Sequence, residues 1–181
     1  MAVFAVLMRL REICCDPRLV ADNWDGGSAK LEACMELVTA AVEGGHRILL
    51  FSQFTSMLEL LAKRLDAEGI SHFTLQGSTP KPVRAELVRR FNGGEVSVFL
   101  ISLRAGGTGL NLTAADIVIH YDPWWNVAAQ NQATDRAYRI GQRNPVQVYK
   151  LIAQDTIEEK IVELQLSLIH ISEPTRRTPI S

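Results

Sequence analysis

Gly44-Gly-His-Arg-Ile-Leu-Leu-Phe-Ser-Gln-Phe54 decides the fold class. A glycine pair stops whatever precedes it, and Arg47 to Phe51 then runs apolar without alternation. A short run of that kind reads as a strand buried on both faces. Upstream, Ser28 is a plausible N-cap for a helix whose inward face would be Leu31, Cys34, Met35, Val38 and Val42, ended by Gly44-Gly45. Downstream, Phe54, Met57, Leu58, Leu61 and Leu65 share one helical face, with Gly69 as the stop. The unit is helix, buried strand, helix.

The same alternation continues outward. His72 to Leu75, Val96 to Ile101, Ile117 to Tyr121 and Val146 to Ile152 read as four more strands. Pro82 sits in the first turn of a helix running to Phe91, and another helix spans about Val127 to Arg139. A capping box, Thr156-x-x-Glu159, opens a last helix with Ile157, Ile161 and Leu164 on its apolar face. Val3 to Ile13 forms a leading helix, closed by Asp16-Pro17, and a polar connector, Asp22 to Gly27, follows it. Continuously apolar strands alternating with helices predict an α/β fold, a parallel sheet with helices on both faces. After Gln165, residues 166–181 carry two prolines and no period, and read as a non-native or disordered tail.

Bulk properties narrow the function classes. The 181 residues fit one compact domain, with 47% hydrophobic and 22% charged side chains. A net charge of -1 gives no global positive field, although the 19 Lys and Arg leave room for a local basic surface. Cys14, Cys15 and Cys34 form no CxxC pair and no metal-ligand spacing with the four histidines, so free buried thiols are expected and no metal centre. The apolar start lacks a basic leader and a small-residue cleavage site, and no stretch is a membrane span.

Ligands of parallel α/β sheets bind outside the carboxyl ends of the strands. The polar and glycine-rich segments all follow strands: Ser52-Gln53, Gln76-Gly-Ser-Thr79, Ser102 to Leu112 and Asp122-Pro-Trp-Trp-Asn126. Ser102-Leu-Arg-Ala-Gly-Gly-Thr-Gly-Leu-Asn-Leu112 lets bare backbone approach a phosphate, although such turns are often only structural. In Gln132-Ala-Thr-Asp-Arg-Ala-Tyr-Arg-Ile-Gly-Gln142, a helix puts Gln132, Arg136 and Arg139 on one face. Two guanidiniums there suit a polyphosphate, whereas surface salt bridges would use the same pair without any ligand.

Asp-Pro-Trp-Trp-Asn followed by Gln-x-x-Asp-Arg-x-x-Arg-x-Gly-Gln closely resembles motif six of the Swi/Snf-type branch of helicase superfamily two. The other motifs follow in family order. Arg47 to Met57 resembles motif four, Leu75 to Phe91 the segment after it, and Leu100 to Asp116 motif five. Leu7 to Pro17 is similar to the helix joining the two lobes, and Val148 to Lys160 to the closing strand and helix. The resemblance covers residues 5 to 165 and implies a RecA-like second lobe. It divides the chain into an inter-lobe linker helix (1–25), a helicase C-terminal lobe (26–165) and the tail (166–181).

The resemblance implies that Arg136 and Arg139 are arginine fingers reaching ATP held on a first lobe. Gln132 would share that nucleotide-facing surface, with Gly107 and Gly109 lining the cleft. Ser52, Gln53, Gly77, Ser78, Thr79, Ser102 and Arg104 would meet double-stranded DNA through its phosphates, which positions a duplex without reading it. Trp124 and Trp125 could wedge or stack near that DNA, with packing against the sheet edge the alternative, above all for Trp125. Asp116, Asp122 and Asp135 read as structural partners. Thr108, Val127 and Tyr138 depart from the family's commoner residues without removing a needed charge. The sequence contains no G-x-x-x-x-G-K-[ST] loop and no Asp-Glu box, so ATP and magnesium would be held mainly by the first lobe. The chain alone is expected to be inactive, and its whole to be an ATP-driven DNA translocase. A stand-alone nucleic-acid-binding or regulatory module is the other reading. A bacterial cytoplasm, beside the nucleoid, or a eukaryotic nucleus would be its place.

Overall fold

A computed structural model describes residues 2–106, 110–135 and 145–172. Its elements run α1 (Ala2–Cys15), a 3-10 turn (Pro17–Leu19), α2 (Ala29–Glu43), β1 (Ile48–Ser52), α3 (Thr55–Ala67), β2 (His72–Leu75), α4 (Lys81–Asn92), β3 (Val98–Ser102), α5 (Leu103–Gly106), β4 (Ile117–His120), α6 (Val127–Thr134), β5 (Gln147–Lys150) and α7 (Ile157–Ser172). The strands form one sheet in the order β2-β3-β1-β4-β5, and every pairing is parallel. The expected α/β architecture is present.

Alternation along the central strands sorts the core into two clusters. Ile48, Leu50, Val98, Leu100, Ile117 and Ile119 point to one face, where α2 and α3 bring Leu31, Cys34, Met35, Val38, Met57, Leu58, Leu61 and Leu65. Leu49, Phe51, Phe99, Ile101 and Val118 point to the other, against Phe91 of α4 and Ala133 of α6. β1, β3 and β4 are buried at every position, which is why they lack alternation. The two edge strands differ from expectation. β2 is only half-buried until Leu75, and β5 is largely exposed, because an edge strand has a neighbour on one side only.

Helix ends follow local chemistry. Ser28 Oγ accepts the Leu31 N–H at 3.3 Å, and Gly45 closes α2 at a φ of 79°, a conformation that favours glycine. The inward face of α2 uses Ala41 where Val42 was expected; Val42 is half-buried. The capping box is shifted by one residue. Thr156 Oγ1 accepts from Glu158 N, while the Glu159 carboxylate accepts from Asp155 N, not from Thr156. The buried face of α7 is Glu158, Ile161 and Gln165, whereas Leu164 is exposed. Nor does α7 stop at Gln165. It runs to Ser172, and 173–181 lie outside the described residues.

Candidate nucleic-acid interface

The carboxyl ends of β1, β2 and β3 open onto a cleft of about 570 Å³. Gln53, Gln76, Gly77, Ser78, Ser102 and Arg104 line it together with Trp124. Six of the eight residues expected to meet DNA therefore share one wall. Thr79 stands one residue beyond this lining, and Ser52 lies beneath it. Gly77, Ser78 and Arg104 are exposed, and Arg104 has no hydrogen-bond or ion-pair partner among the described residues. It is a cation available to a ligand.

The two serines that end β1 and β3 do a different job. Ser52 and Ser102 are paired in register and both are buried. The Ser52 hydroxyl donates to Asp122 Oδ1 at 2.5 Å and accepts from Phe54 N at 3.1 Å. Ser102 Oγ accepts from Ala105 N at 3.3 Å. Their hydroxyls thus shape the loops that follow them, and the cleft surface is made by Gln53 and Arg104.

Arg84 builds the Gln76–Thr79 wall. From α4, its Nε donates to the Thr79 carbonyl at 2.6 Å and its Nη2 to the Gly77 carbonyl at 2.6 Å. Thr79 Oγ1 accepts from Gln76 N at 3.1 Å and closes the turn. In a trans peptide the N–H points opposite to the carbonyl. Turning the Gly77 carbonyl toward Arg84 therefore turns the Ser78 N–H away from it. Sequence reasoning missed Arg84. Its signal was a cation in the first turn of a helix, where the macrodipole disfavours one.

The first helix, α1, also contributes, which was not anticipated. Met8 and Glu12 of α1 line the cleft. Arg11, one residue before Glu12, is 2% exposed and donates to the Pro123 carbonyl. Its guanidinium carbon lies 5.8 Å from the ring centres of both Phe54 and Trp125. Burial lowers the Arg11 pKa, and the nearby Asp122 carboxylate opposes that shift. Arg11 Nε, Gln53 Nε2 and His120 Nδ1 are buried without a hydrogen-bond partner among the described residues.

Asp122 is the carboxylate at the centre of this junction. It accepts from Ser52 Oγ and, at 3.3 Å, from Gln53 N. Burial pushes its pKa up to about 6, although both of those bonds and the cations Lys30 and Arg11 pull the other way. Fully buried and committed to these partners, it is not placed to take a divalent cation. The expected structural role holds for Asp122 and for Asp116, which accepts from Arg47 N at 2.9 Å and faces His46 at 2.7 Å. Asp135 is exposed. Trp124 is half-buried against the core, and Trp125 is 42% exposed beside Arg11.

Asn126 caps α6, its side chain accepting from Ala129 N at 3.1 Å. Gln132 is exposed on that helix. His120 Nε2 lies 2.9 Å from Thr134 Oγ1, and its ring stacks on Phe51 at 5.5 Å. Burial lowers the His120 pKa to about 4. Gly107, Thr108, Gly109, Arg136, Tyr138 and Arg139 lie outside the described residues. No described helix is long and apolar enough to cross a membrane.

Comparison with known proteins agrees with this architecture. The family model described as "Helicase conserved C-terminal domain" matches residues 29–141. A Mycoplasma pneumoniae "Uncharacterized ATP-dependent helicase" is 41% identical over 167 residues, covering 90% of this chain and 16% of that protein. The mouse SWI/SNF-related matrix-associated actin-dependent regulator of chromatin subfamily A member 1 is 40% identical over 176 residues, covering 90% and 17%. The crystal structure of the C-terminal part of the Fun30 ATPase domain superposes with a TM-score of 0.73 at 33% identity, covering 87% of this chain and 53% of that one. The chain thus spans about a sixth of the length of these curated relatives. With its parallel sheet and the family model over most of its length, the chain belongs to the Swi/Snf-type ATP-dependent helicases, as their C-terminal RecA-like lobe.

Proposed function

We propose that this lobe works as the second half of an ATP-driven motor on double-stranded DNA. The cleft at the strand ends carries the reading: Arg104, a cation without a partner among the described residues, stands there with Gln53 and Ser78, and Glu12 is the one carboxylate in the lining. Such a set suits phosphate oxygens, contacts that would hold a duplex without choosing a sequence. On the nucleotide side, ATP with magnesium would sit on a first lobe, where the ion offsets the charge of the phosphates. Gln132, Gly107 and Gly109 would line the shared cleft. Arg136 and Arg139 would reach into it from this lobe and stabilise charge developing on the transferred phosphoryl group. Opening and closing of the lobes would then move them stepwise along DNA.

The test is ATPase activity, with and without duplex DNA, of the two-lobed protein containing this chain, of its Arg139→Ala variant, and of this chain alone. DNA-stimulated turnover that falls by roughly a thousandfold or more in Arg139→Ala, with a silent lone lobe, supports the motor. Stimulation that survives Arg139→Ala removes the finger assignment. A lone lobe that binds DNA in a protein without ATPase activity would instead make it a binding or regulatory module.

A further inference from the structure

The least expected side chain in the fold is Arg11. On α1 it shares the inward face with Met8 and Cys15, so a guanidinium stands where helical periodicity would call for an apolar residue. Its contacts reach two loops besides its own helix. It donates to the Pro123 carbonyl in the β4–α6 loop, faces the Phe54 ring at the start of α3, and lies beside the Trp125 ring. It also faces electrostatically the Asp122 carboxylate, which holds Ser52 Oγ and Gln53 N of the β1–α3 loop. Both loops furnish cleft residues, Gln53 and Phe54 from one and Trp124 from the other. The β4–α6 loop is gripped elsewhere too, since Gln165 of α7 donates to the Trp124 carbonyl and Trp124 N donates to Gln130 Oε1.

Stability does not account for an arginine here. Its Nε has no partner among the described residues, and desolvating a guanidinium offsets much of what its contacts return. Replacing a whole buried charge pair by apolar side chains is often neutral or stabilising, so a buried charge is weak evidence for a stabilising role alone. What an apolar side chain would not reproduce is a fixed spacing between two polar loops. Met8 and Glu12, which flank Arg11 on α1, form part of the same cleft wall.

We infer that Arg11 is a positioning residue, which holds the β1–α3 and β4–α6 loops to α1 at the spacing the cleft requires, so that engagement of DNA depends on a side chain that touches neither DNA nor nucleotide. The inference rests on the proposed reading of the cleft as the DNA surface. It makes α1 part of that surface's scaffold, so a shift of the helix moves the cleft wall and both loops together.

The experiment uses the two-lobed protein with Arg11→Met, Arg11→Lys and, as a control on the cleft, Arg104→Ala. Thermal midpoint, half-saturating duplex DNA and turnover at saturating DNA are measured for each. In Arg11→Met, assayed well below its own midpoint, half-saturating DNA rises on the order of tenfold. Arg11→Lys, which keeps the charge but loses the planar fork, falls between. Half-saturation unchanged in Arg11→Met overturns the inference, whether the midpoint holds or drops. Should Arg11→Met not fold, unchanged half-saturation in Arg11→Lys overturns it equally. Arg104→Ala separates the two readings: if it leaves half-saturation untouched, the cleft is not the DNA surface, whatever Arg11 does.

Discussion

Two buried titratable side chains stand at the end of β4 and just beyond it, and their protonation pulls stability in opposite directions. Asp122, at about 6 in the fold against an ordinary 3.8, binds its proton more readily folded than unfolded. Its contribution is full below pH 4 and is lost as pH rises through 6. His120, at about 4 against an ordinary 6.5, resists protonation in the fold. Its contribution is full above pH 6.5 and is lost as pH falls toward 4. Between pH 4 and 6 the two slopes oppose, so the thermal midpoint of the native chain varies little on their account. Asp122→Asn keeps an acceptor for Ser52 and Gln53 and removes one slope. Its midpoint should therefore rise from pH 4.5 to 6.5 more steeply than the parent's, by up to about 2–3 kcal/mol in stability. An unchanged profile would show that Asp122 does not titrate in this window. Arg104 invites a prediction of another kind. If its guanidinium meets one phosphate, Arg104→Ala weakens duplex binding by the two-lobed protein and lowers the slope of log affinity against log salt by about 0.9. Equal slopes would place Arg104 off the DNA.

At the level of elements, α7 is tied to the body by a buried ion pair. Lys30 of α2 approaches both Glu158 oxygens, at 2.6 and 2.5 Å, and lies 5.2 Å from the Tyr121 ring centre. Glu158 also accepts from Ala153 N at 2.8 Å and so shapes the entry to α7. Nearby, Tyr121 Oη and Ser28 Oγ both donate to the Cys15 carbonyl, which fixes the end of α1 against the start of α2. Removing one member of such a pair strands the other in an apolar setting. Lys30→Met should cost about 3–5 kcal/mol in a denaturant titration, and Lys30→Met with Glu158→Leu should recover most of it. A single variant costing under about 1 kcal/mol would show the pair to be hydrated and weak. The exposed ion pairs, such as Arg89–Glu86 at 73% and 50% side-chain exposure, carry no comparable expectation.

Across the whole molecule, both apolar clusters rest on opposite faces of the same three central strands, so neither can open without exposing the other. Leu61→Ala, at a fully buried position of α3, should destabilise by about 2–5 kcal/mol and still unfold in one transition, with far-ultraviolet circular dichroism and tryptophan fluorescence coinciding. Separate transitions would mean that the two layers melt independently. The sequence by itself determined the class and order of the elements. Runs such as Ile48 to Phe51 have no polar alternate, and a strand without one must be covered on both faces. It also located the rim, because glycine and hydroxyl residues cluster after strands. Tertiary structure decided which side chains face that rim. Ser52 and Ser102 resemble phosphate ligands as residue types, yet register carries their hydroxyls inward. Arg11 and Arg84 resemble surface cations, yet one is buried 112 residues in sequence from the carbonyl it holds and the other props the Gln76–Thr79 turn from behind. Periodicity within an element reports which face is apolar. It carries no information about which distant loop a polar group on that face will meet, since that pairing is fixed only when the sheet brings the strand ends together.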